Sequence, residues 1–240
     1  MTKLDVLVFA AHPDDAEMSC GGTIAKLISQ GKKVGIIDLT RGELGTRGTP
    51  ELRAKEAAAA AKVLNLTIRE NLGMRDAFFR NDEAHQLQII QCIRRYQPEI
   101  ILANALRDRH PDHGKGADLL RDAWFLSGLK NIPTLDEMGE TQSAWRAPKL
   151  FNYIQDQHLT PDFVVDISDF FAQKMDAIRC FASQFYNENS NEPETYISTK
   201  TFWEFFEARN RNTGHIINVT YGEGFLSETP LKINNILDLA

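Results

Sequence analysis

Four short apolar runs, Leu4–Ala10, Val34–Leu39, Ile68–Leu72 and Ile100–Ala103, alternate with stretches of helical periodicity, and this alternation constrains the fold more than any other feature. Ile24, Ala25, Leu27 and Ile28 recur at helical spacing before Gly31, which predicts a helix over 20–30. Thr49-Pro50-Glu51-Leu52 reads as an N-cap with proline at the first helical position, and the alanine-rich run carries that helix to Leu64. Leu87–Ile93 forms the core of a third helix ending near Tyr96, with Pro98 as its stop. A β-α-β-α-β-α-β order implies an α/β fold with a doubly wound, mostly parallel sheet and right-handed crossovers. In the order 3-2-1-4 the first and fourth strands are neighbours, and the crevice between them is where such sheets bind ligands.

The loops after those two strands carry the chemistry. His12-Pro13-Asp14-Asp15 follows the first, and Arg109-His110-Pro111-Asp112-His113 lies in the loop after the fourth. Taken alone, the first cluster reads equally well as the cap of the next helix. Topology, however, turns both clusters toward one crevice. A hydrolytic metal site needs about three protein ligands and an open position for water, which His12, Asp15 and His113 supply. Asp14 and His110 then remain for proton transfer and for stabilising negative charge or protonating a leaving amine. Asp112 is expected to orient His110 from behind. Arg109 either contacts substrate or pairs with Asp108 or Asp112. Arg53 falls in the first turn of the second helix, where a cation works against the helix dipole, so a ligand-contacting role is expected. The glycine-bearing loop 40–50, with Arg41 and Arg47, is longer than a βα connection needs and is either mobile or functional.

Composition narrows the class. The chain has 240 residues, 42% hydrophobic and 25% charged, enough for one α/β core, and a single domain over 1–240 is expected. A net charge of −6 offers no basic footprint for nucleic acid. Cys20, Cys92 and Cys180 lie far apart and form no CxxC pair, which points away from disulfides and toward a reducing cytoplasm. Only Lys3 precedes the first strand as a basic residue, and no apolar run approaches the roughly 18 residues of a membrane span, so neither an export nor a membrane segment is expected. A nucleotide-binding module is disfavoured because no G-x-G-x-x-G follows the first strand.

The second half is less explicit. Trp124–Leu129 closes a fourth helix, and 131–148, with Pro133, Gly139 and Pro148, reads as an insertion or lid. Leu150–Ile154 and Phe163–Asp166 are further strands, and Ser168 is placed as the cap of a helix running through Cys180. His158 is assigned to a surface loop. Residues 185–195 read as a mobile loop ending at Tyr196, and Phe202, Trp203, Phe205 and Phe206 as core or interface.

With these motifs in place, His12–Asp15 together with Arg109–His113 resembles the zinc-dependent PIG-L/LmbE-like deacetylases of N-acetylglucosamine derivatives. Gly21–Lys26, Leu39–Glu43, Glu51–Arg53 and Tyr221–Phe225 are similar to the bacterial subgroup that includes the bacillithiol-biosynthesis deacetylase. The resemblance implies a Rossmann-like core over 1–130, with further strands, helices and substrate-side loops over 131–240. It implies Zn²⁺, or another divalent metal, on His12, Asp15 and His113, with Asp14 as general base and His110 assisting the tetrahedral intermediate. Arg53 matches a substrate-contacting arginine, and Tyr196 a tyrosine that reaches the site. It further implies a small N-acetylated amino sugar as substrate, N-acetylglucosaminyl-malate in bacillithiol biosynthesis, and a homo-oligomer, by resemblance a hexamer. The alternatives are deacetylation of another N-acetylglucosamine derivative or cleavage of a thiol-cofactor amide.

Overall fold

A computed structural model describes residues 2–239. Five strands run parallel: β1 (Val6–Ala10), β2 (Val34–Thr40), β3 (Ile68–Met74), β4 (Ile100–Ala103) and β5 (Lys149–Tyr153). Two more, β6 (Phe163–Asp166) and β7 (Gly222–Ser227), complete one seven-stranded sheet in the order β3-β2-β1-β4-β5-β7-β6, with β7 antiparallel to both its neighbours. The expected 3-2-1-4 order is present. Val6 pairs with both Val34 and Ile100, so the central strands start level and their C-terminal ends emerge along one edge.

Alternate residues of β1 feed opposite faces, as the pleat requires. Val6, Val8 and Ala10 join one core cluster, and Leu7 and Phe9 the other. Helices α1 (Asp15–Ser29), α2 (Pro50–Leu64) and α5 (Phe171–Arg179) pack on the first face, and α3 (Glu83–Tyr96) with α4 (Pro111–Ser127) on the second. The last helix, α6 (Lys200–His215), lies against β6 and β7.

Several expectations are corrected. Helix α1 starts at Asp15, earlier than its apolar periodicity, because its first turn carries two acidic residues, Asp15 and Glu17, that are themselves buried. It is also broken at Cys20 (φ −138°, ψ 19°). Glu223 of β7 accepts from the Gly22 and Thr23 amides (2.9 and 2.7 Å) beyond the break, and the buried Lys174 Nζ donates to Glu223 at 2.7 Å. Tyr221–Phe225 therefore leads into and forms a strand whose carboxylate caps a helix segment. Ser168 does not cap α5. It opens a 3₁₀ turn, and α5 begins at Phe171 without a side-chain cap.

Segment 131–148 is not a lid over the crevice, since none of its residues lines it. It is tied down behind α3 and α4 by Arg94, which donates to the Ile132 carbonyl (2.7 Å) and Thr134 Oγ1 (2.8 Å) in the segment and to the Ser127 (3.0 Å) and Leu129 (2.8 Å) carbonyls just before it. Of the aromatic run, Phe202 and Phe206 are core while Phe205 is exposed.

Candidate functional site

The C-terminal strand edge opens into a crevice of about 350 Å³. Every parallel strand contributes to its wall through the residues that follow it: His12, Asp14 and Asp15 after β1, Leu44–Arg47 after β2, Asp76 after β3, Asp108, Arg109, His110 and His113 after β4, and Gln155 and Asp156 after β5. The topology thus brings together the two clusters that are about 100 residues apart in the chain, as doubly wound sheets do at their switch point.

His12 and His113 are each held by a carboxylate on one ring nitrogen. His12 Nε2 lies 3.0 Å from Asp76 Oδ1 and 3.4 Å from Asp112 Oδ2, and its Nδ1 lies 3.5 Å from Asp15 Oδ2. His113 Nδ1 bonds Asp108, and its Nε2 is 3.1 Å from Asp15 Oδ1. In the neutral ring such pairs set the tautomer and leave a lone pair on the opposite nitrogen for a cation. Two borderline nitrogens and one hard carboxylate, all buried and converging, fit a divalent cation.

The electrostatics agree. Burial opposes charge on His12, but Asp112, Asp15 and Asp76 outweigh it and hold its pKa well above the usual value. At His113 burial is likewise overcome, by Asp15 and Asp108, and the pKa is pushed up to about 9. Asp15 is held well below the carboxylate range because His113 and His12 overcome its burial. A cation at this point would take the place of those imidazole protons. Among the described residues, donor atoms of His12, His110 and His113 all lie within 4.8 Å of one another, as do those of His12, Asp76 and Asp112.

Asp14 sits beside this set in a left-handed backbone conformation (φ 114°), a strained state for a non-glycine residue that fixes where its carboxylate points. Arg53 Nη2 donates to Asp14 Oδ2 at 3.0 Å and to the Pro13 carbonyl. Burial raises the Asp14 pKa to about 7 against the pull of Arg53. Arg53 lines the crevice, and its buried Nε has no partner among the described residues. Gly42 (φ +63°) lets the guanidinium lie there, because a Cβ on it would stand 2.3 Å from Arg53 Nη1.

His110 caps α4. Its Nδ1 accepts from the Asp112 amide at 3.2 Å, which leaves the proton on Nε2 in the neutral ring. Burial, with His12 and His113 nearby, lowers its pKa. Asp112 does not orient His110 as expected. Its carboxylate turns to His12, the Ala77 amide (2.8 Å) and Lys115 (3.0 Å), because the cap geometry directs only its backbone N–H at His110.

Arg109 pairs with neither Asp108 nor Asp112. Its Nε lies 3.5 Å from Asp156 and its guanidinium stacks 4.3 Å from the Tyr196 ring centre. Tyr196 reaches the crevice rim and donates to Asp156 at 3.0 Å. Arg47 ties loop 40–50 to the later loop through the Ser183 carbonyl (2.8 Å) and Ser190 Oγ (2.9 Å). His158 is exposed, as expected. The sequence reading missed Asp76, Asp108 as a partner of His113, and Gln155. Each follows a parallel strand at the same edge, and that position was the available signal.

Residues 7–124 match the family described as GlcNAc-PI de-N-acetylase (PIG-L). The conserved protein TT1542 from Thermus thermophilus superposes with a TM-score of 0.85 at 36% identity, covering 97% of this chain and 98% of that one. Diacetylchitobiose deacetylase of Thermococcus kodakarensis is 29% identical, over 81% of this chain and 75% of its own length. The 4-oxalmesaconate hydratase of Pseudomonas putida is 26% identical over 96% and 91%. The uncharacterized deacetylase YaiS of Escherichia coli is 30% identical over 65% of this chain and 84% of its own. Paired histidine and aspartate clusters on this sheet edge, in a chain with these relatives, make the protein a member of the PIG-L/LmbE-like deacetylase family.

Proposed function

We propose that the protein is a metal-dependent hydrolase that removes the N-acetyl group from an N-acetylglucosamine derivative. The observation that carries this reading is the convergence of His12 Nδ1, Asp15 and His113 Nε2, with Asp14 and His110 alongside. The matched family and the diacetylchitobiose deacetylase support the same chemistry. His12, Asp15 and His113 would hold the ion, with Zn²⁺ as our assignment. When bound, such an ion supplies Lewis acidity toward water and the amide carbonyl.

The remaining steps belong to the chain. Asp14, with a pKa near 7, takes the proton from the attacking water. His110 donates from Nε2 to the oxygen on which negative charge develops. As the C–N bond breaks, the proton held by Asp14 passes to the departing amine, giving acetate and the free amino sugar. Arg53, Arg109 and Tyr196 contact the remainder of the substrate at the rim.

The specific substrate we infer is N-acetylglucosaminyl-malate, whose carboxylates suit a guanidinium at the rim. We place the chain as one LmbE-like domain over 1–240, acting as a homo-oligomer in the cytoplasm. Three free cysteines accord with a reducing compartment, and among the described residues no helix is long and apolar enough to cross a membrane. The test is acetate release from N-acetylglucosaminyl-malate, plain N-acetylglucosamine and diacetylchitobiose by purified protein, before chelation, after it, and after Zn²⁺ is restored. Metal-dependent release ranks the substrates, and no release from any of them overturns the deacetylase reading.

A second reading rests on the hydratase match, which spans nearly the whole chain. The same base could activate water for addition to a double bond. Loss of 4-oxalmesaconate absorbance without acetate release from any acetamide would establish it instead.

A further inference from the structure

Gln155 stands at the end of β5, is 6% exposed, and lines the crevice. Its Oε1 accepts from Asn104 Nδ2 at 2.9 Å and from the Ala105 amide at 3.4 Å. Both of those groups are donors, so the carboxamide has one satisfied orientation, and Nε2 is turned inward. There it lies 3.0 Å from Asp15 Oδ1 and 3.5 Å from His113 Nε2. Asn104 Nδ2 reaches the other oxygen, Asp15 Oδ2, at 3.2 Å. The frame behind the amide is also held: the Gln155 carbonyl accepts from Arg209, and the Asn104 carbonyl accepts from Asn152 at 2.7 Å.

We propose that Gln155 is a positioning residue of the metal centre, holding the Asp15 carboxylate in the orientation that presents it to a divalent cation. The inference rests on reading Asp15 as a ligand. The Gln155 amide N–H can only donate to Asp15, so it favours the carboxylate form that a cation needs. Gln155 and Asn104 thus act on opposite oxygens of one carboxylate. Partners of this kind behind a metal ligand are typically worth about 10- to 100-fold in affinity.

The test needs no sugar substrate. Zn²⁺ affinity is measured by competition with a chromogenic chelator for the wild-type protein and for Gln155→Met, which keeps the side-chain length and removes the N–H donors. The visible spectrum of the Co²⁺-loaded proteins and the Tm of the metal-free ones are recorded alongside. The expected result is affinity weakened about 10- to 100-fold with an altered Co²⁺ spectrum and a metal-free Tm close to wild type. Should Gln155→Met fail to fold, Gln155→Ala is read the same way. Affinity within about threefold of wild type and an unchanged Co²⁺ spectrum would overturn the inference while leaving the metal centre standing. A wild-type protein that binds neither ion overturns both. The weakened affinity supports the inference whether or not any acetamide is hydrolysed.

Discussion

Arg53 Nη2 donates to Asp14 Oδ2 across 3.0 Å, both residues buried. A carboxylate shut away from water would otherwise hold its proton, and the guanidinium pulls the Asp14 pKa back down to about 7. Arg53 therefore acts on the proposed base as well as on the crevice it lines.

Asp14→Ala is expected to keep stoichiometric metal and lose about 10²- to 10⁴-fold in kcat, the usual worth of a general base. Arg53→Ala removes the influence that lowers the Asp14 pKa, so the acidic limb of kcat against pH should move to higher pH. A limb that stays in place in this variant separates Arg53 from Asp14. A rise in KM with kcat unchanged would assign Arg53 to substrate contact alone.

Asp108→Asn replaces the carboxylate on His113 Nδ1 with an amide that has no negative charge to offer the ring. Metal affinity should fall by about 10- to 100-fold. Equilibrium dialysis against a buffered Zn²⁺ series reads this directly, and full occupancy at wild-type concentrations would contradict it.

Gly42→Ala puts a methyl group where Arg53 Nη1 lies and forces an L residue to φ +63°. The backbone strain alone costs about 1–2 kcal/mol, which at roughly 2–4 °C per kcal/mol for a chain of this size is a readable fall in Tm. Displacement of Arg53 should reduce kcat in the same variant. A Tm fall with wild-type kcat would show that the guanidinium finds another position.

Glu223→Ala strips the amides of Gly22 and Thr23 of their acceptor and leaves Lys174 charged in the core. Removing one partner of a buried ion pair typically costs about 3–5 kcal/mol. Thermal or urea unfolding should show that loss, whereas a cost below about 1 kcal/mol would mean Lys174 sheds its proton or reaches water.

Strand and helix placement in the first half was legible because it depends on local periodicity and on caps such as Thr49, whose side chain accepts from the Leu52 amide. The pairing of the His12 and His113 clusters was legible too, because strand order and right-handed crossovers send both loops to one edge. Side-chain partners were not. Asp112 was expected on His110 from its proximity in sequence, yet the cap geometry of α4 turns its carboxylate to His12.

The residues by themselves determined the layered fold, the crevice and that the His12–Asp15 and Arg109–His113 clusters meet in it, since these follow from hydrophobic period and chain topology. Only the tertiary structure decided which carboxylate serves which imidazole, that Glu223 caps a break in α1 some 200 residues earlier, and that Gln155 closes the ring around Asp15. Those contacts depend on where separately folded elements meet, and a hydrogen bond requires placement to a few tenths of an ångström that no local pattern encodes.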